Sequence, residues 1–447
     1  MQLTLSPGTP LSGTIQPGGS IALPGDKSLS HRAALFAALA NGESHIGNFL
    51  VAGVTKAMLE ALTALGVTWG LKGTSLFVEG RGLDGLHSSV HPLNCGSSAT
   101  TLRLLAGALS AAGVEAVLDG SPGLRRRPMG RIVEPLQRMG VPVTASPQGT
   151  APLILSRRPT GQQLRGIDYS LPVASAQVKT CLLLAALAAD GPTTLYEPGP
   201  SRDHTERMLS SMGVNVNTQR GESYETRLTP PEPRSLNPLQ IELPGDISAA
   251  AFLIVAALIT PGSDITLKGV GLNPDRTGLL DALVSMGGNI AVTSVFERNG
   301  EPVGELRIRS SGLMGIKVSG PLVVRMIDEF PAFTVAALCA EGLTIVSDAA
   351  ELRTKESDRI SALCVELRKI GGQVTETPDG FVIRGGDLLR GSVVQAHGDH
   401  RLAMALSVSG LVAQGFVTVQ GAEVLSESFP CFIDVVQALG ARVACEE

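Results

Sequence analysis

Leu23–Phe36, LPGDKSLSHRAALF, and Leu243–Ala256, LPGDISAAAFLIVA, share the frame Leu-Pro-Gly-Asp-x-Ser and then diverge. In both, a Pro-Gly turn and an Asp precede a run of small apolar residues, the pattern of a capped, buried helix. The difference between the copies is charge: Lys27 stands where the second copy has Ile247, and Arg32 where it has Phe252. Cations in the first turn of a helix oppose its macrodipole. A scaffold that accepts apolar residues at both places does not itself call for them. A bound anion is the simplest other partner, because helix N-terminal N–H groups, a Ser hydroxyl and two cations can converge on phosphate or carboxylate. The plain alternative is solvated surface charge, the usual reading for one Lys and a weaker one for two cations one turn apart.

The same helix start recurs. A polar or glycine-containing lead followed by a small-residue apolar run begins near Asp26, Ser97, Ser175, Asp246, Asp328 and Asp399, at intervals of 71, 78, 71, 82 and 71 residues. Each copy is succeeded by a phrase reading L-x-x-h-G-x-x-h, where h is apolar, with glycines at Gly66, Gly140, Gly213, Gly287, Gly371 and Gly440. That phrase predicts an amphipathic helix, a glycine C-cap and a strand. Short β-like runs such as TSLFVEG, APLILS and DGFVIRG come next, so each copy reads as an α/β unit of strand, helix, strand, helix, strand, strand. The period exceeds the ~20–50 residues of common solenoids, which favours small lobes grouped into larger domains. TPPEPRSLNPLQ (Thr229–Gln240) is the best linker, splitting the chain into two three-copy domains with a cleft between them as the natural ligand site.

Composition bounds the function. A chain of 447 residues with 43% hydrophobic and 17% charged residues is globular and too long for one core. Aromatic residues make up only 3% against 52 glycines, so the cores must close on small side chains. The net charge of −5 and the scarcity of stacking platforms argue against nucleic-acid partners. The six cysteines show no CxxC pairs, no signal peptide is expected from MQLTLSPGTP, and the longest apolar run, Ala249–Ile259, is too short to span a bilayer. A cytoplasmic protein without membrane contact is the expectation.

Within this acidic chain, cations gather at helix entrances and loops. CGSSATTLRLLAG leads to Arg103, SAQVKTCLL offers Ser175, Gln177 and Lys179, and GDHRLAM carries Arg401. GSPGLRRRPMGR adds Arg125, Arg126, Arg127 and Arg131, and ELRTKESDRI adds Arg353, Lys355, Glu356 and Arg359. If these ends share a site, it holds a polyanionic small molecule or two anionic ones. Asp328 and Glu356 are the carboxylates that stand among them, suited to moving a proton to or from a hydroxyl or a carbanion; from pattern alone, N-caps or structural ion pairs are the more ordinary explanation. No metal-ligand spacing, Walker A loop or GxGxxG appears, so neither a metal nor a nucleotide cofactor is expected, and HGDHR reads as a helix cap.

GDKSLSHR, GSSATTLRLLAG, RRRPMGR, ASAQVKTCLL, RDHTERML, LPGDISAAAF, IDEFPAF, LRTKESDR and GDHRLAMAL, in this order, resemble the 5-enolpyruvylshikimate-3-phosphate synthase family over almost the whole chain. The resemblance implies a two-domain inside-out α/β barrel of the enolpyruvyl transferase kind, with six βαβαββ repeats, three per domain. It implies domains of 21–240 and of 1–20 with 241–447, acting as a monomer. The implied reaction joins phosphoenolpyruvate to shikimate 3-phosphate with release of phosphate, without cofactor or metal. Lys27 would touch both substrates. Ser28, Arg32, Ser175, Gln177, Asp328 and Lys355 would hold shikimate 3-phosphate. Arg127, Gln177, Arg359 and Arg401, with the backbone at Ala99, would hold phosphoenolpyruvate. Asp328, Glu356 and Lys27 are the implied proton-transfer groups.

Two departures stand out. Ala99 occupies a place where glyphosate-sensitive members carry Gly; with SAQVK and RDHTE this resembles the insensitive class II type, for which glyphosate is a weak inhibitor. Glu427 in SESFP occupies a place where some members carry a phosphate-binding Lys. The nearest rival, the UDP-N-acetylglucosamine enolpyruvyl transferases, is disfavoured because no Cys lies between Cys95 and Cys181, where many of its members place a reactive one. A non-catalytic anion-binding repeat scaffold would need the cations but not Asp328 and Glu356. An RNA-end-processing enzyme of similar repeats sits poorly with the acidity and the few aromatics.

Overall fold

The computed structural model describes residues 1–19, 21–159, 161–221 and 223–446; Ser20 and Glu447, the ends of two segments expected from sequence, lie outside them. The chain divides into a discontinuous unit, Met1–Asp26 with Pro244–Glu447, and a continuous unit, Lys27–Leu243. The continuous unit carries α1 (Lys27–Leu39), α2 (Gly53–Ala64), α3 (Ala99–Ala112), α4 (Gly130–Arg138), α5 (Ala176–Ala186) and α6 (His204–Ser211). The discontinuous unit carries α7 (Ile247–Ile259), α8 (Gly278–Ser285), α9 (Pro321–Arg325), α10 (Phe330–Cys339), α11 (Arg359–Lys369), α12 (His400–Ser409) and α13 (Phe432–Ala438).

The helix–glycine–strand phrase is realised in all of its copies. Gly66, Gly140, Gly213, Gly287, Gly371 and Gly440 come after α2, α4, α6, α8, α11 and α13 with φ between +87° and +100°, a region that a Cβ disfavours. A strand begins two or three residues later each time, as at Thr68–Lys72 and Gln373–Thr377. Among the described residues the strands form six four-stranded sheets of one pattern, a parallel pair followed by two antiparallel pairings. In one, Gln240–Glu242 runs parallel to Asn41–Gly47, whose other neighbour, Ser75–Arg81, also pairs with Thr68–Lys72. The N-terminal strand Gln2–Leu5 lies between Gln414–Gln420 and Val443–Glu446, antiparallel to both, and Ser12–Ile15 runs parallel to Asp264–Gly271. The first residues thus complete sheets of the C-terminal half.

Each unit has its own apolar core. Six helices, α1, α3 and α5 in one unit and α7, α10 and α12 in the other, present no exposed face and are buried over most of their lengths, most of the charged side chains on them included. Small residues let backbones approach closely. A Cβ on Gly107 of α3 would lie 2.2 Å from the Cys181 carbonyl oxygen of α5, and one on Gly385 would lie 2.2 Å from the carbonyl oxygens of Ala337 and Ala340. This is why the chain is rich in Gly and poor in aromatics: the spacing between buried helices leaves no room for larger side chains.

The paired Leu-Pro-Gly-Asp frames lie side by side inside the discontinuous unit. Gly25 bridges Gly245, the Asp26 N–H donates to the Pro244 carbonyl, and the Asp246 N–H donates to the Pro24 carbonyl, both at 2.9 Å. One buried guanidinium closes the pair: Arg276 reaches Asp26 at 2.9 Å, Asp246 at 3.1 Å and the Ser248 hydroxyl at 2.7 Å. Burial disfavours the charge on Arg276, and the carboxylates of Asp26 and Asp246 outweigh it and raise its pKa above the usual range.

Candidate active site

The residues expected from sequence fall into two sets, one per unit. In the continuous unit all but Arg127, which follows the 3₁₀ turn Leu124–Arg126, sit in or just before the first two turns of the three buried helices. Lys27 and Ser28 open α1 and are half-buried. Ser98 caps α3 by accepting from the Thr101 N–H at 3.0 Å, which leaves Ala99, 1% exposed, as the first helical residue. Ser175 precedes α5 and makes no side-chain cap bond, and Gln177 lies in the first turn.

Arg32 is built into this arrangement more deeply than its apolar counterpart Phe252 suggests. It is 2% exposed; its Nε donates to Thr205 Oγ1 and one Nη to Thr180 Oγ1, both at 2.8 Å, while the other donates to the Ser28 carbonyl at 2.9 Å. One side chain therefore ties α1, α5 and α6. The scaffold of this copy does use Arg32: copying Phe252 into it would remove these three bonds, leaving Thr180 and Thr205 to bond each other and the Ala176 carbonyl. Arg103, given no role from the sequence, is 5% exposed and directs two neighbours. It donates to Gln177 Oε1 at 2.6 Å and to the Pro128 carbonyl, beside Arg127, at 2.8 Å. The Gln177 amide then donates to Thr100 Oγ1 at 2.9 Å, which fixes its orientation.

Other cations weighed from sequence are committed elsewhere. Lys179 is buried between Glu197 at 2.7 Å and Glu206 at 2.6 Å; burial opposes its charge, and the two carboxylates outweigh burial and raise its pKa. Arg125 pairs with Asp119 on the surface, Arg126 is exposed, and of RRR only Arg127 is buried. Arg353 pairs with Asp358 at 2.8 Å and Glu376 at 2.9 Å.

In the discontinuous unit the charges are denser. Glu329 takes the N-cap position of α10, so Asp328 lies just outside the helix. Its carboxylate meets Arg401 at 3.1 Å, Lys355 at 3.5 Å and Arg359 at 3.6 Å, and its carbonyl accepts from Arg401 at 2.6 Å. Arg359, 1% exposed, pairs with Asp399 at 2.7 Å and with Glu356 at 2.7 Å. Asp399 also caps α12, accepting from the Arg401 N–H at 2.9 Å, which is the role HGDHR predicts. Burial opposes ionisation of Asp399, and Arg359 overcomes it and holds the carboxyl below the ordinary range. Glu356 is thus an ion-pair partner of Arg359, whereas Asp328, one residue before the N-cap, is a carboxylate ringed by three cations. Such a ring suits anionic ligands with a proton acceptor in their midst. Glu427 ends the 3₁₀ turn Ala422–Glu427.

The sequence model of the family EPSP synthase (3-phosphoshikimate 1-carboxyvinyltransferase) matches residues 11–436. The chain is 46% identical over 425 residues to the 3-phosphoshikimate 1-carboxyvinyltransferase of Geobacter sulfurreducens, covering 95% of this chain and 97% of that protein. It is 48% identical over 427 residues to the protein of that name from Roseiflexus sp., again covering 95% and 97%. Among solved structures, an EPSP synthase from Acinetobacter baumannii superposes with a TM-score of 0.85 at 40% identity, covering 99% of this chain and all of that one.

His31 joins the first turn of α1 to the cap of α3. Its Nδ1 lies 2.8 Å from the Lys27 carbonyl, which can only accept, so the neutral ring carries its proton there and Nε2 accepts from Ser98 Oγ at 3.2 Å. Burial first, then the charges of Lys27 and Arg32, lower its pKa to about 4. A histidine that titrates near 6.5 when unfolded favours folding fully above that pH, and the contribution disappears as pH falls through 4. Between pH 7 and pH 4 the wild type is expected to lose roughly 3 kcal/mol more than His31→Gln, by urea unfolding at the two pH values. Equal losses would contradict the assignment.

Proposed function

Because the chain belongs to the EPSP synthase family, we propose that its two basic clusters hold the two anionic substrates of that family's reaction. The activity is 3-phosphoshikimate 1-carboxyvinyl transfer: the enolpyruvyl group of phosphoenolpyruvate passes to the 5-hydroxyl of shikimate 3-phosphate, with release of phosphate, in the shikimate pathway that leads to aromatic amino acids. The observation that carries the site assignment is the Asp328 carboxylate facing Arg401, Lys355 and Arg359 from just outside the α10 N-cap.

In this reading Lys27 contacts both substrates. Ser28, Arg32, Ser175, Gln177, Asp328 and Lys355 bind shikimate 3-phosphate, and Arg127, Gln177, Arg359 and Arg401 bind phosphoenolpyruvate beside the Ala99 backbone. The free cap position of Ser175 and the fixed amide of Gln177 support the first set. The reaction needs two proton transfers in addition. Asp328 takes the 5-hydroxyl proton as O5 attacks C2, while C3 gains a proton, giving a tetrahedral ketal. Elimination then returns a proton from C3 and breaks the C2–O bond to phosphate. Glu356 and Lys27 serve C3 and the leaving phosphate, and the arginine forks neutralise the charge that moves onto it.

The finer readings are proposals of the same kind. The buried Ala99 methyl favours the class II, glyphosate-insensitive type, since it crowds a ligand longer than phosphoenolpyruvate. A reducing cytoplasm agrees with six cysteines free of disulfides, and a monomer is the reading that the family resemblance implies. No helix among the described residues is long and apolar enough to cross a membrane.

Phosphate release from phosphoenolpyruvate is expected with shikimate 3-phosphate as acceptor and absent with UDP-N-acetylglucosamine; the reverse outcome would overturn the reading. In the same assay Ala99→Gly is expected to lower the half-inhibitory glyphosate concentration roughly 10-fold, the cost of one crowded methyl. Equal, tight inhibition of both proteins would remove the class II assignment.

A further inference from the structure

The Arg359–Asp399 pair lies at one end of a turn whose other end is gripped by the same helix. Residues 396–399 form a tight turn in which the Asp399 N–H donates to the Ala396 carbonyl at 2.9 Å, with His397 and Gly398 both at positive φ, +53° and +68°. Glycine adopts such angles freely; for His397 they cost about 1–2 kcal/mol. The compensating contact is on α11. Glu366, with its side chain fully shielded from solvent, sits 2.7 Å from His397 Nε2, accepts from the Gln395 N–H at 2.9 Å and pairs with Lys369 at 2.8 Å. Burial opposes ionisation of Glu366, and Lys369, the Gln395 N–H and His397 outweigh it and keep the carboxyl below its ordinary range.

Arg359 and Glu366 are seven residues apart, two helical turns, and so share one face of α11. Both reach the segment 395–399: Arg359 holds Asp399, and Glu366 holds Gln395 and His397. We propose that the Glu366–His397 contact is a positioning device for phosphoenolpyruvate, fixing the turn so that Asp399 aims the Arg359 fork and the start of α12 aims Arg401. Neither residue touches substrate. They act through Asp399, whose two bonds to Arg359 and one to the Arg401 N–H transmit the position of the turn to both arginines. A displacement of about 1 Å at such a remove is enough to misdirect a reacting geometry. The inference rests on the assignment of Arg359 and Arg401 to phosphoenolpyruvate.

Two substitutions separate side-chain contact from backbone comfort. His397→Gly relieves the positive φ and deletes the donor; His397→Gln keeps a donor near Nε2 and retains the backbone cost. If the contact positions the arginines, His397→Gly raises KM for phosphoenolpyruvate roughly 5- to 10-fold while KM for shikimate 3-phosphate stays within about 2-fold, and His397→Gln restores most of the loss. If the turn matters only as backbone, His397→Gly matches the wild type and His397→Gln is the poorer protein; that order overturns the proposal, as does an equal rise in both KM values. Arg359→Lys is measured beside them. A rise in KM for phosphoenolpyruvate there, with His397→Gly unchanged, defeats the positioning role alone. An unchanged KM in Arg359→Lys removes the site assignment and the inference with it.

Discussion

The buried guanidinium of Arg276 is the constraint on which the arrangement depends. The chain leaves the discontinuous unit after Asp26 and re-enters it at Pro244, and Arg276 binds the Asp of each crossing. Three buried charges are tolerable only while they satisfy one another; removing one partner from such a group typically costs about 3–5 kcal/mol. This explains the shared frame. Leu-Pro-Gly-Asp is present twice because the two segments bridge one another and present their carboxylates to one cation, a purely structural requirement. Residues beyond the Asp are free to differ, and they do: Ile247 and Phe252 in one copy are buried apolar residues, whereas Lys27 in the other opens α1 only half-buried.

Regular local features were legible in the sequence. The six C-capping glycines take positive φ as their phrase predicts, and the buried helices begin within two residues of the positions read from Asp26, Ser97, Ser175, Asp246, Asp328 and Asp399. These arise from periodicity and from local backbone demands, which a sequence carries directly. Partners distant in sequence were not legible. Nothing in PDRTG marks Arg276 as the partner of an Asp 250 residues earlier. Lys179 reads as an available cation until Glu197 and Glu206 are seen on either side of it. Arg32 shows the limit of comparing copies, since an apolar residue at the equivalent place tells only that a different packing exists there. The polar residues Thr180 and Thr205, within and beside apolar helices, were the signal available for it.

The same economy of scaffold and charge runs through the candidate site. Small residues bring α3 and α5 to within backbone contact, and buried helices packed this closely must end in groups that satisfy their N–H donors. Ser98, Asp246 and Asp399 do so as caps. Around these fixed ends, arginines are held at several points each, so their forks are oriented before a ligand arrives. Arg103 sets Gln177, Asp399 sets Arg359, and Asp328 meets Arg401. Preorganised charge of this kind lowers the reorganisation needed as phosphate departs.

On the proposed reading, the shared frame belongs to the fold and Lys27 to the ligand. Calorimetric titration of shikimate 3-phosphate into folded Lys27→Ile tests this division, because Ile is the residue the protein's own second copy places there. Affinity is expected to weaken roughly 10- to 100-fold, the loss of a charge-assisted contact. Wild-type affinity in that variant would contradict it.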